Sequence, residues 1–206
     1  MTIDIRTVIC GMILENAYIV RAEGRDDCVV VDPGDDFSKL KRALGGLRVR
    51  SILLTHGHFD HLQAAAELSA DAGAPVYVHA ADMEILNDAV LNGYQDLMGG
   101  DIMPGPAVKA EPFSERLSAA GLGFEILHTP GHTLGSACLY LPEEGVLFSG
   151  DTLFQAGYGR LDLYGGNVRS MLDSLKKLFA LPPQVKVFPG HGGATTIGVE
   201  KARYRL

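Results

Sequence analysis

The sequence predicts an α/β sandwich formed by one domain, residues 1–206. Three observations point there. Short apolar runs rich in β-branched residues fill the first third of the chain and return in its second half, at strand length rather than helix length. Segments with apolar residues at helical spacing are interspersed among them. No repeat, low-complexity tract or linker divides the 206 residues, a length that fits one domain.

In chain order, Ala17–Val20 and Cys28–Val31 read as buried strands, and Asp32-Pro33-Gly34 stops the second. Phe37–Leu44 carries Phe37, Leu40 and Leu44 at helical spacing and meets a C-terminal stop in Gly45-Gly46. Val49–Leu54 is a strand that runs straight into Thr55-His56-Gly57-His58-Phe59-Asp60-His61. Leu62–Ala72 is a helix closed by Gly73, Val76–His79 a short strand, and a helix follows to about Val90. Residues 91–112 mix Asn, Gly, Pro and Met without a period, and irregular segments of that length are usually functional or mobile. Strands are expected at Phe124–Leu127, Ala137–Leu141, Val146–Phe148 and Val185–Phe188, with a helix over Val168–Leu181. A loop from Gly190 to Gly193 leads to one short C-terminal helix, ending in Lys201, Arg203, Tyr204 and Arg205.

A 47% hydrophobic, 21% charged composition with mean hydropathy +0.11 excludes an intrinsically disordered chain. Eighteen basic against 25 acidic residues give −7, so no overall basic footprint for nucleic acid exists. Cys10, Cys28 and Cys138 stand in no metal or redox spacing and read as small buried side chains in a reducing compartment. No apolar run approaches the ~20 residues that cross a bilayer, and Asp4 and Arg6 stand where a signal peptide would begin its apolar stretch. The expectation is a soluble cytoplasmic protein with neither a nucleic-acid nor a membrane partner, its oligomeric state left open.

Three of the seven histidines, His56, His58 and His61, fall within six positions, with Asp60 between the last two. A strand-to-helix loop containing Gly57 can aim His56 and His58 at one ion, while Asp60 and His61 face a neighbouring one. Imidazole and carboxylate suit zinc, iron or manganese; thiolate chemistry is excluded because no cysteine is near. Three further strand exits offer ligand-type side chains: His132, Asp151 and His191, each directly after a glycine. Four strand ends presenting such groups on one edge describe a binuclear metal site at the rim of a sandwich.

The motifs Thr-His-Gly-His-Phe-Asp-His, Thr-Pro-Gly-His-Thr, Ser-Gly-Asp-Thr-Leu-Phe and Phe-Pro-Gly-His-Gly together resemble the metallo-β-lactamase superfamily, and Asp32-Pro-Gly is similar to its first motif. The resemblance runs from about Asn16 to the C-terminus. Within it, Gly159-Arg160-Leu161-Asp162 and the stretch from Gly192 to Gly198 resemble short hydroxyacylglutathione hydrolases, that is, glyoxalase II-like enzymes, with Leu161 where those carry Thr or Ser. The resemblance implies a four-layer αββα sandwich, two mixed sheets flanked by helices. It also implies two divalent transition-metal ions, zinc first and iron or manganese as alternatives. His56, His58 and His132 would hold one, Asp60, His61 and His191 the other, and Asp151 would bridge them. Asp32 would orient a ligand histidine through a hydrogen bond, or simply form the turn before Pro-Gly. Tyr158 and Arg160 would face substrate, or lie on a solvated loop. His79 and His128 are left to structural roles near the apolar core.

The implied reaction is hydrolysis of a small-molecule thioester of the S-lactoylglutathione type by metal-bound hydroxide, with Asp60 orienting the nucleophile. A thiolate leaves without a dedicated general acid, and neither GxSxG nor HExxH is present. The competing readings are a mononuclear iron persulfide dioxygenase, a hydrolase of another ester or lactone, and a non-catalytic module. Only residues 192–206 follow His191, so the thiol half must be held by residues 91–112, the Tyr158–Asp162 loop or the basic tail. With so few elements to supply polar contacts, weak discrimination among thiols is expected, within roughly 100-fold.

Overall fold

A computed structural model describes residues 2–204, so Arg205 at the end of the expected basic tail lies outside the described residues. Two six-stranded mixed sheets lie at its centre. The first is ordered β1 (Ile3–Cys10), β2 (Glu15–Ala22), β3 (Asp27–Val31), β4 (Arg48–Leu53), β5 (Val76–Val78) and β6 (Glu111–Pro112). The second runs β12 (Thr195–Thr196), β11 (Lys186–Pro189), β10 (Val146–Gly150), β9 (Ala137–Leu141), β8 (Leu122–His128) and β7 (Arg116–Ala119). β3, β4, β5 and β6 pair in parallel and β10 pairs in parallel with β11, while the remaining neighbours are antiparallel.

The period of two in the central strands builds the layers. Val29 and Val31 of β3 and Tyr18 and Val20 of β2 face Leu139, Leu141 and Phe148 of the second sheet, forming the inter-sheet core. The alternate residues Cys28, Val30 and Ile19 pack outward beneath α1 (Phe37–Leu44) and α2 (Ala65–Ala72) through Leu40, Leu44 and Leu68. Cys138, Tyr140 and Leu147 likewise pack outward against α4 (Val168–Leu178) and α5 (Ile197–Arg203) through Met171, Leu175 and Ile197. Helix, sheet, sheet, helix is the four-layer arrangement expected. All three cysteines are buried thiols. No helix among the described residues is long and apolar enough to cross a membrane.

Local chemistry sets the ends of the helices. Gly45 and Gly73 close α1 and α2 in the left-handed conformation. Asn167 and Thr196 cap α4 and α5 by accepting from the amides of Ser170 and Val199.

Two expectations are corrected. The segment after β5 forms no helix to Val90: a 3-10 turn at Ala80–Asp82 is followed by further turns. The segment closes i to i+3 turns, with Met83 N donating to Ala80 O, Ile85 N to Asp82 O and Asp88 N to Ile85 O, while Asp88 accepts from the amides of Val90 and Leu91 and Asp82 is tied to the amides of Gly57 and Gly135 and the hydroxyl of Thr133. Residues 91–112 are not uniformly irregular either. They contain α3 (Tyr94–Met98), fixed by Asn92, which is buried, accepts from the Tyr94 amide and offers its carbonyl to the amide of Phe59.

Candidate metal centre

The strand ends converge where the two sheets meet. His56 and His58 follow β4, Asp60 and His61 form the 3-10 turn Phe59–His61, His132 follows β8, Asp151 follows β10 and His191 follows β11. Strand pairs across that edge are stitched together: the Asn16 amide donates to Gly190 O at 2.8 Å, its side chain donates to Pro189 O and Gly192 O, and the Tyr18 hydroxyl donates to Pro189 O at 2.6 Å. Glycine is required at Gly190 for space rather than for backbone angle. A Cβ there would stand 2.3 Å from Asp151 Oδ1 and 2.5 Å from His61 Cε1. Gly131 and Gly150 instead adopt positive φ, 143° and 48°, turning His132 and Asp151 into the site.

All seven expected residues meet here. His56, His58 and His132 each place a ligand atom within 4.8 Å of the others, and so do Asp60, His61 and His191. Asp151 lies between the groups, with Oδ2 3.5 Å from His132 Nε2 and Oδ1 3.4 Å from His61 Nε2. Asp60 Oδ2 lies 3.1 Å from His191 Nε2 and 3.4 Å from His61 Nε2.

Hydrogen bonds behind the rings decide where their protons sit. Asp32, at φ 46°, accepts from the Thr55 amide and from the Thr55 hydroxyl, each at 2.7 Å. With its proton committed, Thr55 Oγ1 is left to accept from His56 Nδ1–H at 3.0 Å. Asp32 Oδ2 also accepts from His61 Nδ1–H at 3.1 Å. The carbonyl of Arg160 accepts from His132 Nδ1–H at 2.7 Å. In each ring Nε2 is thereby turned toward the centre as the coordinating atom.

The electrostatics divide the site. Burial, reinforced by the neighbouring His61 and His132, holds His56 well below the usual imidazole range. Burial and His132 take His58 down to about 3. Burial opposes charge on His61 and His191 as well, but Asp60 and Asp151 outweigh it, pushing His61 well up and His191 up. Asp60 and Asp151 are correspondingly lowered against their own burial, first by His61.

A pair of metal ions fits this donor set. His56 Nε2, His61 Nε2 and Asp151 Oδ1 are buried without a hydrogen-bond partner, a cost of about 1–3 kcal/mol each that a cation facing them would remove, and His58 turns Nδ1 rather than Nε2 to the centre, 2.8 Å from His132 Nε2. Borderline nitrogen donors with carboxylate oxygens and no thiolate suit zinc, iron or manganese.

Other residues fall where the sequence does not indicate. Arg160 lies at the mouth of a cavity of about 290 Å³ over the centre, but Tyr158 does not line it; its ring stands 6.4 Å from that of Tyr204. Lys201 and Arg203 of the tail donate to Phe179 O and pair with Glu200, away from the cavity. His79 and His128 stack at 3.9 Å beside an open cleft at the sheet edges, half-exposed rather than in the core. Two buried acids had no sequence signal. Asp82 braces the Gly57 loop, and Glu15 stands 3.8 Å from His61 Nδ1, its carboxyl raised well above the usual range by burial. Ile13, in the turn between β1 and β2, lines the cavity unannounced.

Residues 11–191 match the family model of the metallo-beta-lactamase superfamily. Over 194 residues the chain is 38% identical to the Bacillus subtilis protein named "Probable metallo-hydrolase YqgX", covering 93% of this chain and 91% of that one. It is 34% identical over 181 residues to the hydroxyacylglutathione hydrolase GloC of Haemophilus influenzae, covering 85% and 84%. Among solved structures, the B3 metallo-beta-lactamase BLEG-1 superposes with a TM-score of 0.90 at 38% identity, over 97% of each chain. TTHA1623 in a di-iron-bound form does so at 0.84 and 39%, over 95% of this chain and 96% of that one. With the family model spanning most of its length and the four layers and seven strand-end residues in place, the chain belongs to the metallo-beta-lactamase superfamily.

Proposed function

We propose that the protein is a binuclear metal-dependent hydrolase that cleaves thioesters of the S-lactoylglutathione type. The observation that carries this reading is Asp151, whose two oxygens reach separately toward His132 and His61 and so join two three-residue groups into one centre. It is supported by the likeness to a hydroxyacylglutathione hydrolase and to a protein crystallised with two irons.

His56, His58 and His132 would hold one ion, Asp60, His61 and His191 the other, and Asp151 both. A bound pair supplies hydroxide at neutral pH and positive charge for the carbonyl oxygen. The chain does the rest. Asp60, with Oδ2 beside His191 at the cavity, orients the attacking hydroxide. Phe59 and Phe154 wall the cavity against bulk water. Asp32 and the Arg160 carbonyl hold the rings so that their lone pairs stay aimed. The departing thiolate needs no proton donor.

The test pairs elemental analysis of metal-replete protein with thiol release from S-lactoylglutathione. Two ions per chain and turnover that collapses in Asp151→Ala, together with its metal, are expected. Saturation at one ion, with oxygen consumed in the presence of glutathione persulfide while thioesters survive, would replace the hydrolase with a dioxygenase.

A further inference from the structure

The cavity over the centre is walled by apolar side chains from three separate segments: Ile13 from the β1–β2 turn, Leu97 from α3, and Phe154 and Leu163 from the loop after β10. Ile13 and Leu97 remain 38% and 43% exposed, and the neighbouring Met12 and Met98 are 78% and 38% exposed. Met12, Ile13 and Met98 come together in a small adjoining cleft that also touches Phe59 and Asp60. Exposed apolar residues scattered singly carry no message, but a contiguous set around a site marks what the site receives. The Leu97 side of this collar is anchored, because Tyr94 of α3 packs edge-on against Phe59 at 5.3 Å.

Charge at the mouth points the same way. Arg160 is the one Lys or Arg among the described residues lining the cavity, and its guanidinium is engaged through two nitrogens with Asp162, each at 2.7 Å. Glutathione carries two carboxylates, which recognition sites meet with free cationic donors. The chain's net charge of −7 adds long-range repulsion.

Building on the thioesterase reading above, we propose that the collar of Ile13, Leu97, Phe154 and Leu163 receives an uncharged, apolar thiol half, so that the preferred substrate is a thioester of an apolar thiol rather than of glutathione. The acyl carbonyl lies at the candidate ligands, and the alkyl part of the leaving group runs out along Leu97 and Ile13.

The experiment uses metal-loaded full-length protein and lactoyl thioesters that differ only in the thiol: ethanethiol, butanethiol, hexanethiol and glutathione. Burial of a methylene is worth up to about fourfold in kcat/KM, so a rise of ~2–4-fold per methylene is expected, with the hexyl ester at least ~10-fold above glutathione. Leu97→Lys should flatten the series and raise the glutathione ester relative to the hexyl ester, while Leu97→Met should preserve the series. A glutathione ester equal to or better than the hexyl ester would overturn the proposal. Binding of the neutral fluorophore N-phenyl-1-naphthylamine separates this from the reaction itself. If no thioester is cleaved yet Leu97→Lys weakens fluorophore binding at least ~5-fold, the reaction is misassigned and the apolar collar stands. Unchanged binding in Leu97→Lys removes the collar, whatever the reaction.

Discussion

Asp32 sits behind two rings at once. Through Thr55 it fixes the proton of His56, and directly it fixes that of His61, one ring from each half of the candidate centre. Its backbone is left-handed, at φ 46°, which asparagine tolerates better than alanine, so Asp32→Asn tests the carboxylate without adding strain. The expected result is a loss of ~10–100-fold in affinity at both metal positions, measured by competition with a chromophoric chelator. A loss at one position only would break the link through Thr55. The protons also set a pH order. His61 and His191 are raised, so at falling pH a proton competes there first, whereas His56 and His58 are lowered and stay neutral. Dialysis from pH 8 to pH 5 should therefore strip the ion held by Asp60, His61 and His191 before the other, as read by metal stoichiometry. Simultaneous release would contradict the division. The seven candidate residues were legible because ligand chemistry demands their side-chain types at strand exits. Glu15 and Asp82 were not, since nothing in a sequence tells a buried acid from a solvated one.

Strand ends place the donors, and the turns after them tolerate little change. Gly190→Ala would drive a methyl group into Asp151 Oδ1 and His61 Cε1. The variant is expected to bind one ion and to lose at least ~100-fold in kcat/KM for the thioester, with secondary structure by circular dichroism unchanged; two tightly held ions would show that the β11 exit yields more than its packing suggests. α1 was legible to the residue, whereas α2, expected from Leu62, begins only at Ala65, its glycine stop alone being where the sequence put it. β1 lacks a sequence signal because it is an edge strand: Asp4 and Arg6 alternate with half-buried Ile3 and Ile5, and exposed Thr7 follows, so no continuous apolar run opens it. The stretch from Ala80 to Val90, expected as a helix, forms a 3-10 turn and further turns. Asp82 is drawn to the amides of Gly57 and Gly135 in other segments, a tertiary pull that no local pattern records, and Asp88 accepts from the amides of Val90 and Leu91.

Across the whole molecule the two sheets are held face to face by a layer in which Phe148 is fully buried, its ring 5.1 Å from Tyr18 and 5.6 Å from Phe188. Phe148→Ala should cost ~3–5 kcal/mol by chemical denaturation of the metal-free protein; a loss under ~1 kcal/mol would mean the sheets are joined chiefly elsewhere. The two-sheet sandwich was legible through the motifs at the strand exits, whereas which strand joins which sheet was not, because pairing partners lie far apart in sequence. Which loops close over the cavity was not legible either, because Ile13 and Leu97 become neighbours only once the strands have docked. The seam made by Asn16 and Tyr18 with Pro189, Gly190 and Gly192 carries one more consequence, in time rather than in space. It joins positions more than 170 residues apart, so the chain pays for one of its longest loop closures at the place where the donors gather. A polypeptide still being synthesised can display His56, His58 and His61 long before His191 exists. Full loading of the proposed two-ion centre would thus wait until His191 is in place, and a metal-sensitive spectral signal would serve as a clock for the last act of folding.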